Sequence, residues 1–185
     1  MSLAKLVKPR ASKVLGIDAS TNSFAFCLMN GKTPVKWGEI TFEGQDVYER
    51  ILDAKRKIKA FKNELDTDFV VIEAAISVKS VHTGMKMAYV FGAIMGELLS
   101  DNVEVKEVHP ITWQSYLGNK NFTKAEKLAI KNEFPDKSDN WIKGKIRERR
   151  KAKTIDFANS LGIKTESDNV ADAVGIAWYA VNEII

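Results

Sequence analysis

Three acids in this chain stand where apolar packing gives no reason for them. Asp18 closes the run Val14-Leu15-Gly16-Ile17 and is followed by the small residues Ala19-Ser20-Thr21. Glu73 closes Phe69-Val70-Val71-Ile72 and precedes Ala74-Ala75. Asp172 interrupts a small, apolar helix face that runs from Ala171 to Ala177. An unpaired charge at the mouth of a buried strand is costly, so such carboxylates need a cation. Each acid also has an ordinary explanation: an Asx-turn or helix cap at Asp18, a solvated strand end at Glu73. Asp168, four residues before Asp172 and on the same helical face, suits a helix N-terminus through the macrodipole. Taken together, the acids would repel strongly in one cleft unless a divalent cation neutralised them. Oxygen-only ligation suits Mg²⁺ or Mn²⁺ rather than zinc. Two such ions, about 3.5–4 Å apart, can clamp the attacking and leaving oxygens of a phosphodiester.

The elements that must position these acids follow from hydrophobic periodicity. Residues 13–18 read as a strand, Ser23 to Met29 as a second with Asn30-Gly31 as its turn, and Val35 to Phe42 as a third. Gln45 to Leu65 has the apolar spacing of an amphipathic helix. The run ending in Glu73 reads as a buried strand returning beside the first, because a helix separates the two. Thr83 to Leu99 is a helix apolar nearly all round, with Gly92 and Gly96 on one face open to close packing on the sheet or on a second copy. Val103 to Val108 alternates as an edge strand does, and Ile111 to Leu117 can form a short helix after His109-Pro110. Thr123 to Phe134 opens with capping-box spacing at Thr123 and Glu126. A basic helix from about Lys143 to Leu161, stopped by Gly162, and a last helix from about Ser167 to Ile184 complete the chain. The expectation is an α/β domain with a mixed five-stranded sheet flanked by helices. Residues 1–12 read as a flexible leader and 13–185 as one domain, with about 118–153 a basic helical insertion.

Composition narrows the function classes. The net charge of +4 is concentrated: between Trp141 and Lys153 stand seven cations against one acid, Glu148. These are Lys143, Lys145, Arg147, Arg149, Arg150, Lys151 and Lys153, and they point to one face that meets a polyanion rather than to a solvated surface. The single Cys27 excludes an intramolecular disulfide and a multi-cysteine zinc site. No apolar stretch approaches transmembrane length. A reducing, cytoplasmic setting is expected.

In this order the motifs resemble a known pattern. Gly-Ile-Asp at 16–18, Val-Ile-Glu-Ala at 71–74 and Ala-Asp-Ala-Val-Gly-Ile-Ala at 171–177 are similar to the RNase H-like, retroviral-integrase superfamily. Within it they resemble the RuvC-type Holliday-junction resolvases, in particular phage or viral members. The glycine-bearing helix from Met85 to Gly96 resembles that family's dimerisation helix, and His109-Pro110-Ile111-Thr112-Trp113 its Pro-x-x-Trp stretch. The resemblance implies an RNase H-like fold and a homodimer that cuts four-way DNA with Mg²⁺ or Mn²⁺, two ions per site. A phage origin would place it in the bacterial host's cytoplasm. Asp18 would bridge both ions, with Glu73, Asp172 and either Asp168 or Asn169 completing the set. The family has an acid three residues before its last one, whereas this chain has Asn169 there. Asp168 then substitutes for it, or Asn169 weakens the metal site.

The resemblance further implies that Lys145, Arg147, Arg150 and Lys151 lie near the scissile phosphate. The segment from Ile76 to Lys86, with Lys79, His82 and Lys86, would meet the junction centre, and Lys120 and Lys124 would widen the contact. Two other readings are set beside this one: a non-cleaving branched-DNA-binding protein, and a flap or fork nuclease. An actin-like or sugar-kinase-like ATPase shares the first phosphate loop, but it needs two related halves and a second glycine-rich loop, and the chain has neither.

Overall fold

The computed structural model describes residues 13–74, 80–99 and 103–185. The leader at 1–12 and Lys79 therefore lie outside the described residues. Strands β1 (Lys13–Ala19), β2 (Ser23–Asn30) and β3 (Thr33–Thr41) form an antiparallel meander. Helix α1 (Val47–Asn63) crosses over to β4 (Phe69–Glu73), which pairs parallel to β1. Helix α2 (Val81–Leu98) crosses to the edge strand β5 (Glu104–Val108), giving the order β3-β2-β1-β4-β5. Four helices follow: α3 (Pro110–Tyr116), α4 (Lys124–Glu133), α5 (Asp139–Ser160) and α6 (Asp168–Tyr179), the last continuing into a π-helical turn at Ala180–Ile184. The mixed five-stranded sheet expected from the sequence is present. Among the described residues no helix is long and apolar enough to cross a membrane.

The side-chain alternation of β1 divides the interior in two. Leu15 and Ile17 point to one face, where Phe24, Phe26, Val70 and Ile72 pack with Ala54, Ile58 and Phe61 of α1 and Val90, Ile94 and Leu98 of α2. Val14 points to the other face, where Ala25, Cys27, Met29 and Val71 meet α6. Burial pushes the Cys27 thiol up to about 12, so this side chain is inert packing. Gly16 lies on the α6 face and is the point of closest approach. A Cβ there would stand 2.5 Å from the Ala173 carbonyl oxygen and 2.5 Å from the Ala177 nitrogen. Trp113 of α3 packs equally tightly, its ring 2.6 Å from where a Cβ on Gly175 would be. Only glycine allows either contact.

Several element ends differ from the sequence expectation. Helix α5 begins at Asp139 rather than Lys143, because the Ser138 side chain caps it and Trp141 packs edge-on against Phe134. Helix α6 ends its α-helical geometry at Tyr179, and the predicted run to Ile184 is completed by the π-helical turn. The Thr123–Glu126 capping box on α4 forms as expected.

The Gly16 contact has a measurable consequence. Gly16→Ala should lower unfolding free energy by about 2–3 kcal/mol, because the neighbours are backbone atoms that cannot rotate away. Gly144→Ala, in the interior of α5 with nothing within 4 Å of the new methyl, should instead add about 0.5–1 kcal/mol. Urea denaturation of the two variants checks both signs.

Candidate active site

The parallel pairing of β1 and β4 sets the first two acids. Ile17 pairs with Ile72, so Asp18 and Glu73 follow at the same level on adjacent strands. By alternation both belong to the row that faces α6, with Gly16 and Val71. Because α6 rests on Gly16, its first turns carry Asp172 and Asn169 over the same strand ends. The result is a cleft of about 440 Å³ whose lining includes Asp18, Glu73, Asp168, Asn169 and Asp172. All five acid-site residues named from the sequence are brought together.

Electrostatics in this cleft are unfavourable as they stand. Burial, then the negative charges of Glu73 and Glu39, push the Asp18 carboxyl up to about 7, with Lys151 offsetting part of this. Burial, then Asp18 and Glu73, push Asp172 up to about 8 against the pull of Lys151 and Arg150. Glu73 is raised by burial too, although the Trp113 indole donates a 2.8 Å hydrogen bond to its Oε2. Among the described residues neither Asp18 nor Asp172 has a hydrogen bond or ion pair through its carboxylate. Nor is any group of three acidic, imidazole or thiol side chains drawn together tightly enough to hold a metal ion as it stands. The donor chemistry fits a hard divalent cation: oxygen ligands only, partly enclosed, with Glu73 raising the proton affinity of Asp18 and both raising that of Asp172.

Asp168 and Asn169 differ in what they touch. Asp168 forms an ion pair with Lys151 of α5. Asn169 donates from Nδ2 to Glu39 Oε1 at 2.7 Å, and Ser167 donates from Oγ to Glu39 Oε2 at 3.0 Å. Burial works to raise the Glu39 pKa, but hydrogen bonds from Asn169, Ser23 and Ser167 outweigh it and hold it below the usual value.

Opposite the acids, α5 supplies a cationic wall. Lys143, Arg147, Arg150 and Lys151 line the cleft, as do Ile146 and Thr154. Their spacing places them on one side of the helix. Lys145, Arg149 and Lys153 fall on another side and do not join them. Lys145 pairs with Glu148 on its own helix, Arg149 ties α5 to Glu133 of α4, and Lys153 lies over the Phe122 ring at 4.9 Å. The expectation that Lys145 stands beside the acids is therefore corrected by helix periodicity. Lys120 and Lys124 are exposed and outside the cleft. His82 and Lys86 line a separate groove between α1 and α2, with Arg50, Tyr48 and Tyr89.

Sequence reasoning missed several cleft residues. Gln114 accepts a hydrogen bond from the Arg150 guanidinium, and Asn119, 4% exposed, donates to the Arg150 carbonyl at 2.9 Å and to Thr154 Oγ1 at 3.0 Å. These bonds brace the cationic wall from behind. In sequence they are ordinary polar residues of a short helix and its following turn, and carry no local signal. Glu39 was missed for a different reason: on an outer strand a glutamate is unremarkable until the register is known.

No family model matches the sequence, and no curated protein matches it. Solved structures do. The chain is similar to RuvC of Thermus thermophilus in complex with a Holliday junction substrate, with a TM-score of 0.63 at 14% identity, covering 91% of this chain and 94% of that one. A second Thermus thermophilus RuvC structure gives a TM-score of 0.61 at 15% identity, covering 91% and 95%. The yeast mitochondrial Holliday junction resolvase Ydc2 gives 0.53 at 12% identity, covering 96% of this chain and 81% of that one. At these identities the likeness is one of architecture, and it runs nearly end to end: the chain has the RNase H-like fold of the RuvC resolvases.

Proposed function

We propose that this chain is a metal-dependent endonuclease that recognises four-way or branched DNA and hydrolyses its phosphodiester backbone. One observation carries the reading: a single cleft has Asp18, Glu73 and Asp172 on one side and Lys143, Arg147, Arg150 and Lys151 on the other. A cleft with these two walls suits a phosphate backbone lying against cations with its scissile group at the acids. The shared fold supports the reading, since one of the similar RuvC structures holds a Holliday junction.

Asp18, Glu73 and Asp172, with Asn169 or Asp168, are the residues that would hold Mg²⁺ or Mn²⁺. Bound there, the ions would activate a water and stabilise charge on the transferring phosphoryl group. The chain's own residues do the rest. Arg147 and Lys143 bind flanking phosphates, and Arg150, held by Gln114, keeps a fixed guanidinium at the cleft wall. Trp113 holds Glu73 in one orientation through its indole N–H.

We also propose a homodimer. Along α2, Val81, Met85 and Tyr89 are exposed, and nothing lies within 4 Å of where a Cβ on Gly92 or Gly96 would be. A two-fold copy packed on this face would pair two clefts, as paired cuts in a four-way junction require. His82 and Lys86, at the start of the same helix, would then flank the junction centre. One observation favours a second reading, a branched-DNA-binding protein that does not cleave: an uncharged amide stands at 169.

Cleavage assays separate these readings. Incubated with Mg²⁺ or Mn²⁺, the protein should place paired nicks in a synthetic four-way junction and leave a linear duplex intact. Cutting confined to Y-forks would assign a fork nuclease, and tight binding without nicks the non-cleaving form. Asp18→Asn should reduce cutting at least about a thousandfold, about 4 kcal/mol of transition-state stabilisation, while junction binding stays within a few-fold.

The cationic wall predicts a salt effect. Arg147→Ala should weaken junction binding and reduce the slope of log K against log salt by about one. Lys145→Ala, on the side of α5 away from the cleft, should change that slope far less. Fluorescence anisotropy titrations at several salt concentrations measure both.

Proton linkage gives a test that needs no DNA. Asp18 and Asp172 have folded-state pKa values of about 7 and about 8, against 3.8 when unperturbed. Between those limits the folded protein binds more protons than the unfolded chain. Metal-free stability should therefore fall as pH rises from about 4 to about 8. Saturating Mg²⁺ should recover stability at the upper end, and Asp172→Asn should flatten the dependence. Thermal melts in chelator and in Mg²⁺ across this range decide it.

A further inference from the structure

Glu39 is a carboxylate close to the cleft that the proposed mechanism leaves unused. It lies on β3, in register with Ala25 of β2, which is itself in register with Asp18 of β1. The three residues form one row across the sheet, on the face that α6 covers. From that row the Glu39 carboxylate reaches the first turn of α6 and accepts from both Asn169 Nδ2 and Ser167 Oγ.

The chemistry of this contact is asymmetric. A carboxylate only accepts hydrogen bonds, so it selects the NH₂ side of the Asn169 amide and leaves Oδ1 on the opposite side. Asn169 lines the acidic cleft whereas Glu39 does not. Without Glu39 the NH₂ group would be free to turn toward the carboxylates that share the cleft with Asn169. The amide would then present donors to the cleft, where they oppose a cation. Asp168, the other candidate at this end of the site, is already neutralised by Lys151.

We propose that Glu39 is a positioning residue: it fixes the Asn169 amide so that Oδ1, and not the Asp168 carboxylate, joins Asp18, Glu73 and Asp172 as a donor to a divalent cation. This rests on the metal-dependent reading of the cleft. It explains how a chain with an amide at 169 keeps an oxygen in the cleft without adding a fourth buried negative charge. The charge sits instead on Glu39, one shell farther out and satisfied by hydrogen bonds.

Mn²⁺ binding to the full chain, followed by the electron paramagnetic resonance of free Mn²⁺, tests this without any cleavage. Glu39→Gln should weaken binding about tenfold, the usual scale for removing a group that orients a ligand, because a neutral amide no longer selects one orientation of Asn169. In an Asn169→Asp background the same substitution should weaken binding only about twofold, through loss of one screened negative charge near the cleft. There both oxygens at position 169 are equivalent, and no orientation remains for Glu39 to select. Ser167→Ala, which removes the second bond to Glu39 but leaves the amide contact, should lower the melting temperature and leave Mn²⁺ affinity within about twofold.

A loss several-fold larger with Asn169 present than in the Asn169→Asp background supports the proposal. Equal weakening in both backgrounds, as general loss of negative charge or of the β3–α6 anchor would give, overturns it. An unchanged affinity in Glu39→Gln overturns it as well, provided Asp18→Asn abolishes binding. If Asp18→Asn leaves Mn²⁺ affinity unaltered, the metal reading of the cleft fails first and this proposal falls with it. Melting curves confirm that each variant is folded before binding is compared.

Discussion

The whole site depends on how closely one helix backbone approaches one strand. At Gly16 the backbone of α6 rests directly on β1, with Ala173 and Ala177 supplying the smallest side chains that still pack. A side chain at position 16 would lift the helix, and with it Asp172 and Asn169, away from Asp18. Trp113 makes the complementary contact on the other side of α6, filling the space over Gly175 while its indole N–H holds Glu73. Packing and acid placement are thus one constraint. The same close approach that excludes water from the core sets the depth at which the carboxylates lie.

Charge in the cleft is arranged by layers. The inner carboxylates, Asp18 and Asp172, have no ion pair among the described residues; Glu73 raises the proton affinity of both, and Asp18 raises that of Asp172. At the rim the charges are compensated: Asp168 by Lys151, Glu39 by hydrogen bonds from Asn169 and Ser167. Across the cleft, α5 presents cations at helical spacing: Arg150 is braced by Gln114 and Asn119, and Lys151 pairs with Asp168 at the rim. Had Glu133 or Glu148 fallen on that side, the wall would be neutralised. Instead those two acids bind Arg149 and Lys145 elsewhere on the helix.

Much of the fold was legible because its signals are local. The continuous apolar runs before Asp18 and Glu73 announce buried strands. The Asn30-Gly31 turn and the Thr123–Glu126 capping box are backbone chemistry written in a few residues. Where expectation and structure part, at the start of α5, a cap at Ser138 and the packing of Trp141 on Phe134 together extend the helix toward the N-terminus. The acids of the site stood out for a related reason: a carboxylate inside apolar sequence is anomalous without any knowledge of its surroundings.

Residue type and spacing alone marked Asp18, Glu73 and Asp172 as acids set in apolar sequence, put the first two at the ends of neighbouring strands β1 and β4, and concentrated positive charge between Trp141 and Lys153. Only the tertiary structure decided which cations line the cleft, because helix phase turns Arg147 and Lys151 inward and Lys145 and Arg149 away. Only it brought Glu39 to Asn169, residues 130 positions apart in the chain. A hydrogen bond across that separation leaves no trace in either residue's neighbourhood. It exists because strand register and a glycine-sized gap bring β3 and α6 to the same corner of the sheet.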